Sequence, residues 1–435
     1  MRDEFLEYCM ALAYTYLHQI KLLDNIFRGY VGPAFTIRFP MWSWRSTDSV
    51  RPVFGLVIRS SETFDKLMQA SETALGEAFV SGEIDVEGDI FSAFEVAEWL
   101  LNRHAGLGSR ISAELYRDCF TLLSALTRGR KHSRQRDAAS ISHHYDLPVE
   151  FYEPWLGPTL LYSTAYFRNP AKALDAAQMD KLDIICRKLD LQPGDQFMDI
   201  GCGWGSLAIH AASAYQAHAR GITVSKTQAR VAARRISQAQ LGDRCFIEYR
   251  DYRDAPNLPW RFDKLASIGM FEHVGVSNLQ NYFHVALDLL KPGGLFLNSG
   301  IIRSADSPRR KQSFIDHYVF PDGELPTLTE ALRAAEDVGF EIRDVESLRE
   351  HYALTLRRWV ENLQQHSSEL LQTVSERTLR TWLLYMAGSA AAFERGDISV
   401  CQILLRRPNA QHNVALRNRE NWYRNSHSAT DSVAA

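Results

Sequence analysis

Met198-Asp199-Ile200-Gly201-Cys202-Gly203-Trp204-Gly205-Ser206 is the stretch on which the fold of this chain turns. An apolar strand ends in an acidic residue, and three glycines at alternate positions then open a helix. Glycine suits such a turn because it tolerates positive φ and lets a ligand approach the backbone closely. A glycine-rich strand-to-helix turn can also cradle a dinucleotide pyrophosphate. The spacing here is G-x-G-x-G with Asp199 directly before it. That pattern suits a ligand without phosphate, whose amino-acid portion contacts backbone and carboxylate.

Outward from this turn, strand-like and helix-like segments alternate. The strands expected are Gln196–Ile200, Ala219–Val224, Cys245–Arg250, Lys264–Met270, Gly294–Ile301, Glu341–Ser347 and Ser399–Arg406. Strands separated by helices form βαβ units, which predicts a doubly wound, mostly parallel seven-stranded α/β sheet over residues 141–410. Residues 1–125 read as a smaller, mixed α+β domain. Phe35-Thr36-Ile37-Arg38-Phe39 alternates like a half-buried strand, and Gly76 to Gly82 looks like a helix closed by a glycine before the strand-like Ile84-Asp85-Val86. Between the domains, residues 126–140 form a basic linker carrying Arg128, Arg130, Lys131, His132, Arg134 and Arg136. It is either a solvated connection or a contact for anionic lipid headgroups. Residues 411–435 are expected to be a frayed polar tail.

Composition narrows the function classes. A net charge of −3 argues against a nucleic-acid binder, which usually has a strongly basic domain, so no nucleic-acid partner is expected. The six cysteines are scattered without a CxxC pair, which points to neither a metal site nor a disulfide framework. No run approaches the roughly 20 apolar residues of a membrane-spanning helix. Asp3, Glu4 and Glu7 replace the basic start of a signal peptide. A cytoplasmic protein touching membranes only peripherally is expected. Arg309-Arg310-Lys311 and the aromatic Phe39-Pro40-Met41-Trp42-Ser43-Trp44-Arg45 offer two such contacts, although Trp42 and Trp44 suit a core equally well.

Leu290-Lys291-Pro292-Gly293-Gly294, ahead of the fifth strand, resembles the corresponding turn of class I methyltransferases and decides against a nucleotide-dependent oxidoreductase. The resemblance implies S-adenosylmethionine as cofactor, held by Asp199, Gly201, Gly203 and Gly205. In most of that class an acidic residue ends the second strand and holds the ribose hydroxyls. Here the strand ends Thr223-Val224-Ser225-Lys226-Thr227-Gln228, so Thr223 and Gln228 are expected to replace it without charge. Asp251 is expected beside the adenine or, in the plainer reading, as a helix N-cap.

Five further motifs narrow the class: His144-Tyr145-Asp146-Leu147, Leu161-Tyr162-Ser163-Thr164-Ala165-Tyr166-Phe167, Gly269-Met270-Phe271-Glu272-His273-Val274-Gly275, the run from Tyr318 to Pro326, and His351-Tyr352-Ala353-Leu354-Thr355-Leu356. Together they resemble the cyclopropane-fatty-acyl-phospholipid synthase family over about residues 140–405. The resemblance implies methylation of an alkene carbon in phospholipid acyl chains at a membrane surface, cyclopropane closure as the default outcome, and a homodimer. Simple methylation giving a methyl-branched or methylated unsaturated chain is a close competitor, and a methyltransferase for a soluble small molecule is the other alternative, since the fold alone does not fix the acceptor. It further implies Tyr162 and Ser163 at the cofactor. Tyr145, Tyr166, Phe167, Phe271 and Trp359 are candidates to stabilise a cation through their ring faces, or core residues.

Family members commonly hold a bicarbonate base with a glutamate, a histidine, a tyrosine, a cysteine-containing segment and an isoleucine. Carried over, these positions are Glu272, Ser299, Tyr352, Thr164 and Ile301. Thr164 replaces the cysteine and Ser299 the histidine. Serine cannot bring positive charge to a desolvated anion, which argues against bicarbonate and with it the ring product. Glu272 then either still organises bicarbonate, with Asn298 or His273 compensating, or is itself the base with a pKa raised by burial, or is structural. His273 is a second candidate proton acceptor, or a structural histidine.

Overall fold

The computed structural model describes residues 16–67, 72–104, 147–306, 324–409 and 419–423. The chain divides into two compact units: Met1–Thr121 with Val374–Ala391, and Leu122–Thr373 with Ala392–Ala435.

In the first unit, β1 (Phe35–Arg38), β2 (Ser43–Arg45), β3 (Phe54–Ile58) and β4 (Ile84–Gly88) form a sheet in the order β2-β1-β3-β4. β1 pairs parallel with β3, and the other neighbours are antiparallel. Helix Glu72–Val80 is followed by Gly82 at φ +79°, and helix Ile90–His104 comes after β4. Trp44 is buried against Phe27 and Phe35, its Nε1 donating to Asp24 Oδ1 at 2.9 Å, and Trp42 stacks on Phe39. Trp44 is therefore a core residue of this unit, while Trp42 is half-buried beside the exposed Met41. Val374–Ala391 joins the unit because Arg380 donates to the carbonyls of Phe79 and Ile84, each at 2.7 Å.

The second unit carries β5 (Gln196–Ile200), β6 (His218–Thr223), β7 (Cys245–Tyr249), β8 (Phe262–Ile268), β9 (Leu290–Arg303), β10 (Glu341–Ser347) and β11 (Ile398–Arg406). They form one sheet in the order β10-β11-β9-β8-β5-β6-β7. The five strands from β9 to β7 pair parallel, while β11 pairs antiparallel with both β9 and β10. The expected α/β architecture is present. Its helices used below are α1 (Val149–Leu156), α2 (Leu174–Lys188), α3 (Ser206–Ala214), α4 (Lys226–Gln238), α5 (Leu279–Leu289), α6 (Leu328–Asp337) and α7 (Arg349–Gln365). Interior parallel strands are covered on both faces, so they read as apolar runs. Leu295 and Leu297 of β9 join the core that α2 and α3 cover, whereas Phe296 and Ile302 join the one under α5 and α6.

Two boundaries differ from expectation and shape the site. β8 stops at Ile268, two residues early, whereas β9 continues to Arg303. Backbone of β9 beyond Ser299 is thereby left without its β8 neighbour. The tail also needs correction at 419–423: Trp422 is buried in the α2–α3 core, and Arg419 Nη2 pairs with Asp344 at 2.5 Å. The basic linker, Arg309–Lys311, the His144-Tyr145-Asp146 motif, most of the Tyr318–Pro326 motif and the remaining tail lie outside the described residues. Among the described residues, no helix is long and apolar enough to cross a membrane.

Candidate active site

Strand order reverses between β5 and β8, since the chain proceeds from β5 outward through β6 and β7 before returning to β8. Ligands of open α/β sheets bind at the carboxyl ends of the strands at such a switch point. A pocket opens there. It brings together Tyr162, Ser163, Asp199, Gly201, Gly203, Thr223, Gln228, Asp251 and His273 from the expected set.

The three glycines of the turn have φ of +78°, +53° and +83°. They serve different ends. A Cβ on Gly203 would meet nothing within 4 Å, so this is where a ligand can lie against the backbone. A Cβ on Gly205 would come within 3.0 Å of Ala232 on α4, so Gly205 allows helix packing and does not line the pocket. Arg235, also on α4, fixes the turn: Nη1 donates to Trp204 O and Ser206 Oγ, both at 2.8 Å. Its guanidinium reaches Thr159 O as well, just before the pocket-lining Leu160 and Leu161.

Thr223 Oγ1 donates to Gln228 Oε1 at 2.7 Å, which leaves the Gln228 amide NH2 as a neutral donor at the pocket. Asp251 lines the pocket and is also the N-cap of the short 3-10 turn at Tyr252–Asn257. Its carboxylate accepts from Arg253 N and Nε at 2.9 Å and from Nη2 at 2.6 Å. The plainer reading of Asp251 is thus realised beside the pocket. At the inner end, Asp199 and Lys181 are both nearly inaccessible, 3% and 1% exposed. Burial pushes the Asp199 carboxyl up and the Lys181 ammonium down, and each opposes the other's shift through its charge.

Glu272 sits in the one-turn 3-10 segment Phe271–His273 that follows β8. Its Oε1 accepts the Ile301 backbone N–H at 2.7 Å. The carboxylate thus occupies the edge of β9 that β8 vacates, flanked by the pocket residues Met270, His273 and Val274. Its Oε2 is buried and has no partner, and burial raises the group to about 7. A Cβ on Gly300 would lie 2.1 Å from Phe271 and 3.2 Å from Glu272 Cδ, so the bare glycine makes room for this segment.

Thr164 is buried, its hydroxyl on Ala165 O at 3.1 Å, and Ala165 N donates to Thr355 Oγ1 on α7 at 3.0 Å. Tyr352 packs its ring on Phe393 at 4.6 Å. Ser299 is buried on β9. Neither these three nor Ile301 and Glu272 lines the cofactor pocket. Side chains alternate along a strand, so Asn298 and Ser299 project to opposite faces. Asn298 accepts from Tyr282 of α5 at 2.7 Å, on the face away from α2, which is also the face of Gly300 and of the Phe271–Glu272 segment that Gly300 admits. Phe271 and Trp359 are fully buried core residues, and Tyr166 stacks on His351 at 4.7 Å. Tyr145 lies outside the described residues. Lys181 and Arg235 were not anticipated, since each lies on a helix where a cation ordinarily faces solvent.

The family model for mycolic acid cyclopropane synthetase matches residues 132–403. A probable fatty acid methyltransferase of Pseudomonas putida is 40% identical over 89% of this chain and 96% of its own length. The cyclopropane-fatty-acyl-phospholipid synthase of Escherichia coli is 32% identical, covering 80% of this chain and 87% of that one. Among solved structures, the mycolic acid cyclopropane synthase CmaA1 complexed with SAH and CTAB aligns at a TM-score of 0.58 with 31% identity, over 62% of this chain and 98% of that chain.

Proposed function

The chain belongs to the mycolic acid cyclopropane synthetase family as an S-adenosylmethionine-dependent methyltransferase, and from that premise we propose that it methylates an alkene carbon in phospholipid acyl chains, with Glu272 as the base. The observation that carries this reading is the Glu272 carboxylate, one oxygen held by the Ile301 N–H and the other buried without a partner beside the pocket.

S-adenosylmethionine, when bound, supplies an electrophilic methyl group. The residues present fit it: a bare Gly203 backbone, a buried Asp199 and Lys181 for an amino-acid tail, and the uncharged Thr223 and Gln228 for sugar hydroxyls. What remains for the protein is to remove one proton. The alkene electron pair forms the new carbon–carbon bond and leaves its other carbon positive. If Glu272 Oε2 takes a proton from the added methyl, the freed pair closes the ring. If it takes one from an adjacent chain carbon, the pair forms a double bond and the chain is branched. A carboxyl titrating near 7 is suited to either transfer at neutral pH.

A bound bicarbonate is left out of this reading. Glu272 makes no ion pair among the described residues, and neither Ser299 nor Asn298 brings a charge. Two anions side by side in a desolvated site without a cation are costly. The same exchange favours the branched product as a second reading, alongside the relative named a fatty acid methyltransferase. The basic stretches at 128–136 and 309–311 support docking on anionic headgroups.

Expression in a bacterium that has unsaturated phospholipids and no cyclopropane-forming enzyme of its own tests the proposal. Acyl chains should gain one methylene unit by mass spectrometry. Resistance of the product to mild hydrogenation identifies the ring, and hydrogen uptake the branched alkene. Unaltered lipids alongside intact S-adenosylmethionine binding would remove the acyl substrate.

A further inference from the structure

Lys181 is an unusual residue to find at the floor of a ligand pocket. It projects from α2, is 1% exposed, and donates from Nζ to Ser163 Oγ at 2.8 Å. Asp199, at the end of β5, lines the same pocket and is 3% exposed. The two feel each other's charge, yet no ion pair joins them among the described residues. Taking an ammonium and a carboxylate out of water without direct contact is costly. A buried pair held apart in one cavity is compensated when a ligand brings the opposite charges, in the opposite order, between them.

We propose that Lys181, backed by Ser163, binds the α-carboxylate of S-adenosylmethionine while Asp199 takes its α-ammonium. This rests on the reading of the pocket as the S-adenosylmethionine site, and it gives Lys181 a task of its own. A lysine ammonium has three donors, and the one spent on Ser163 directs the other two. The arrangement recognises a zwitterion: an adenosyl thioether whose tail lacks either charge leaves one buried group uncompensated. Recognition of the tail is then separate from the neutral hydrogen bonds offered by Thr223 and Gln228.

Calorimetric titration without lipid tests this, using S-adenosylmethionine and its decarboxylated analogue against the wild type, Lys181→Met and Asp199→Asn. Lys181→Met should weaken S-adenosylmethionine binding on the order of 30-fold or more, as truncating one partner of a buried charge pair does. The decarboxylated analogue should bind wild type and Lys181→Met within about threefold of each other, because no carboxylate is left to lose. Asp199→Asn should weaken both ligands, which share the ammonium. Equal losses for the two ligands in Lys181→Met would overturn the assignment and make Lys181 a purely structural residue. If the variant fails to fold, the wild type alone decides: the proposal fails unless decarboxylation weakens binding at least tenfold. Wild type that binds neither ligand would instead overturn the reading of the pocket itself.

Discussion

Glu272→Gln is expected to lower kcat by about 100- to 10,000-fold, the range for loss of a positioned general base, and at the same time to stabilise the folded protein above neutral pH. The two effects share one cause. Burial raises the Glu272 carboxyl from 4.5 to about 7. Between those values the folded state keeps a proton that the unfolded chain has lost. Stability therefore falls as pH rises through that window, and above about 7 the whole cost is present. At about 1.4 kcal/mol per pKa unit, ionised Glu272 costs the fold on the order of 3–4 kcal/mol at pH 8. Glutamine stays neutral and can accept from Ile301 as before. Denaturant midpoints should favour the variant at pH 8 and converge with wild type below pH 4.5. The wild-type kcat should rise with pH through about 7 as the base ionises. S-adenosylhomocysteine affinity should be unchanged. Retained turnover in the variant would remove Glu272 from the chemistry, and equal stability at pH 8 would contradict its buried, ionised state.

The second large effect is expected from one methyl group. Gly300→Ala places a Cβ 2.1 Å from the ring of Phe271 and 3.2 Å from Glu272 Cδ. Phe271 is 1% exposed in the core under α5 and α6 and has nowhere to yield. Overpacking of this kind costs roughly 1–3 kcal/mol. The loss of activity should exceed the loss of stability, because the displaced segment carries the carboxylate. A misplacement of about 1 Å can lower a rate about 100-fold. Measurements of kcat at a temperature where circular dichroism shows the variant folded separate the two. Adding Phe271→Leu should recover part of the rate by vacating ring volume. A Gly300→Ala enzyme with wild-type kcat would show that Glu272 needs no such room.

The parts of this molecule that were legible in advance are those whose signal is local. β5 and its glycine turn are a run of apolar residues followed by positions where only small side chains fit, and both features are written in consecutive letters. The same holds for the Thr223 and Gln228 pair, placed by one strand end and one helix start. What could not be read depends on register or on burial. The Glu272–Ile301 bond joins residues 29 apart and exists only because β8 ends early, which no pattern within β8 announces. Adjacent strand residues face apart, and only contacts such as Tyr282 with Asn298, and Phe271 with Gly300, fix which face of β9 each residue takes. In α2, Gln178, Lys181 and Lys188 are as buried as the Leu182, Ile185 and Cys186 that pattern analysis assigns to the core. A polar residue in an apolar stripe looks like its edge until its partners are known. Inclusion of Val374–Ala391 in the N-terminal unit escaped for a related reason, since a reading along the chain assigns neighbours in sequence to the same unit.

The anchor of Glu272 is a peptide group, not a side chain. Every amino acid except proline carries that N–H, so position 301 can drift among residue types while the carboxylate stays fastened. Ile301→Pro is the one exchange that unties it.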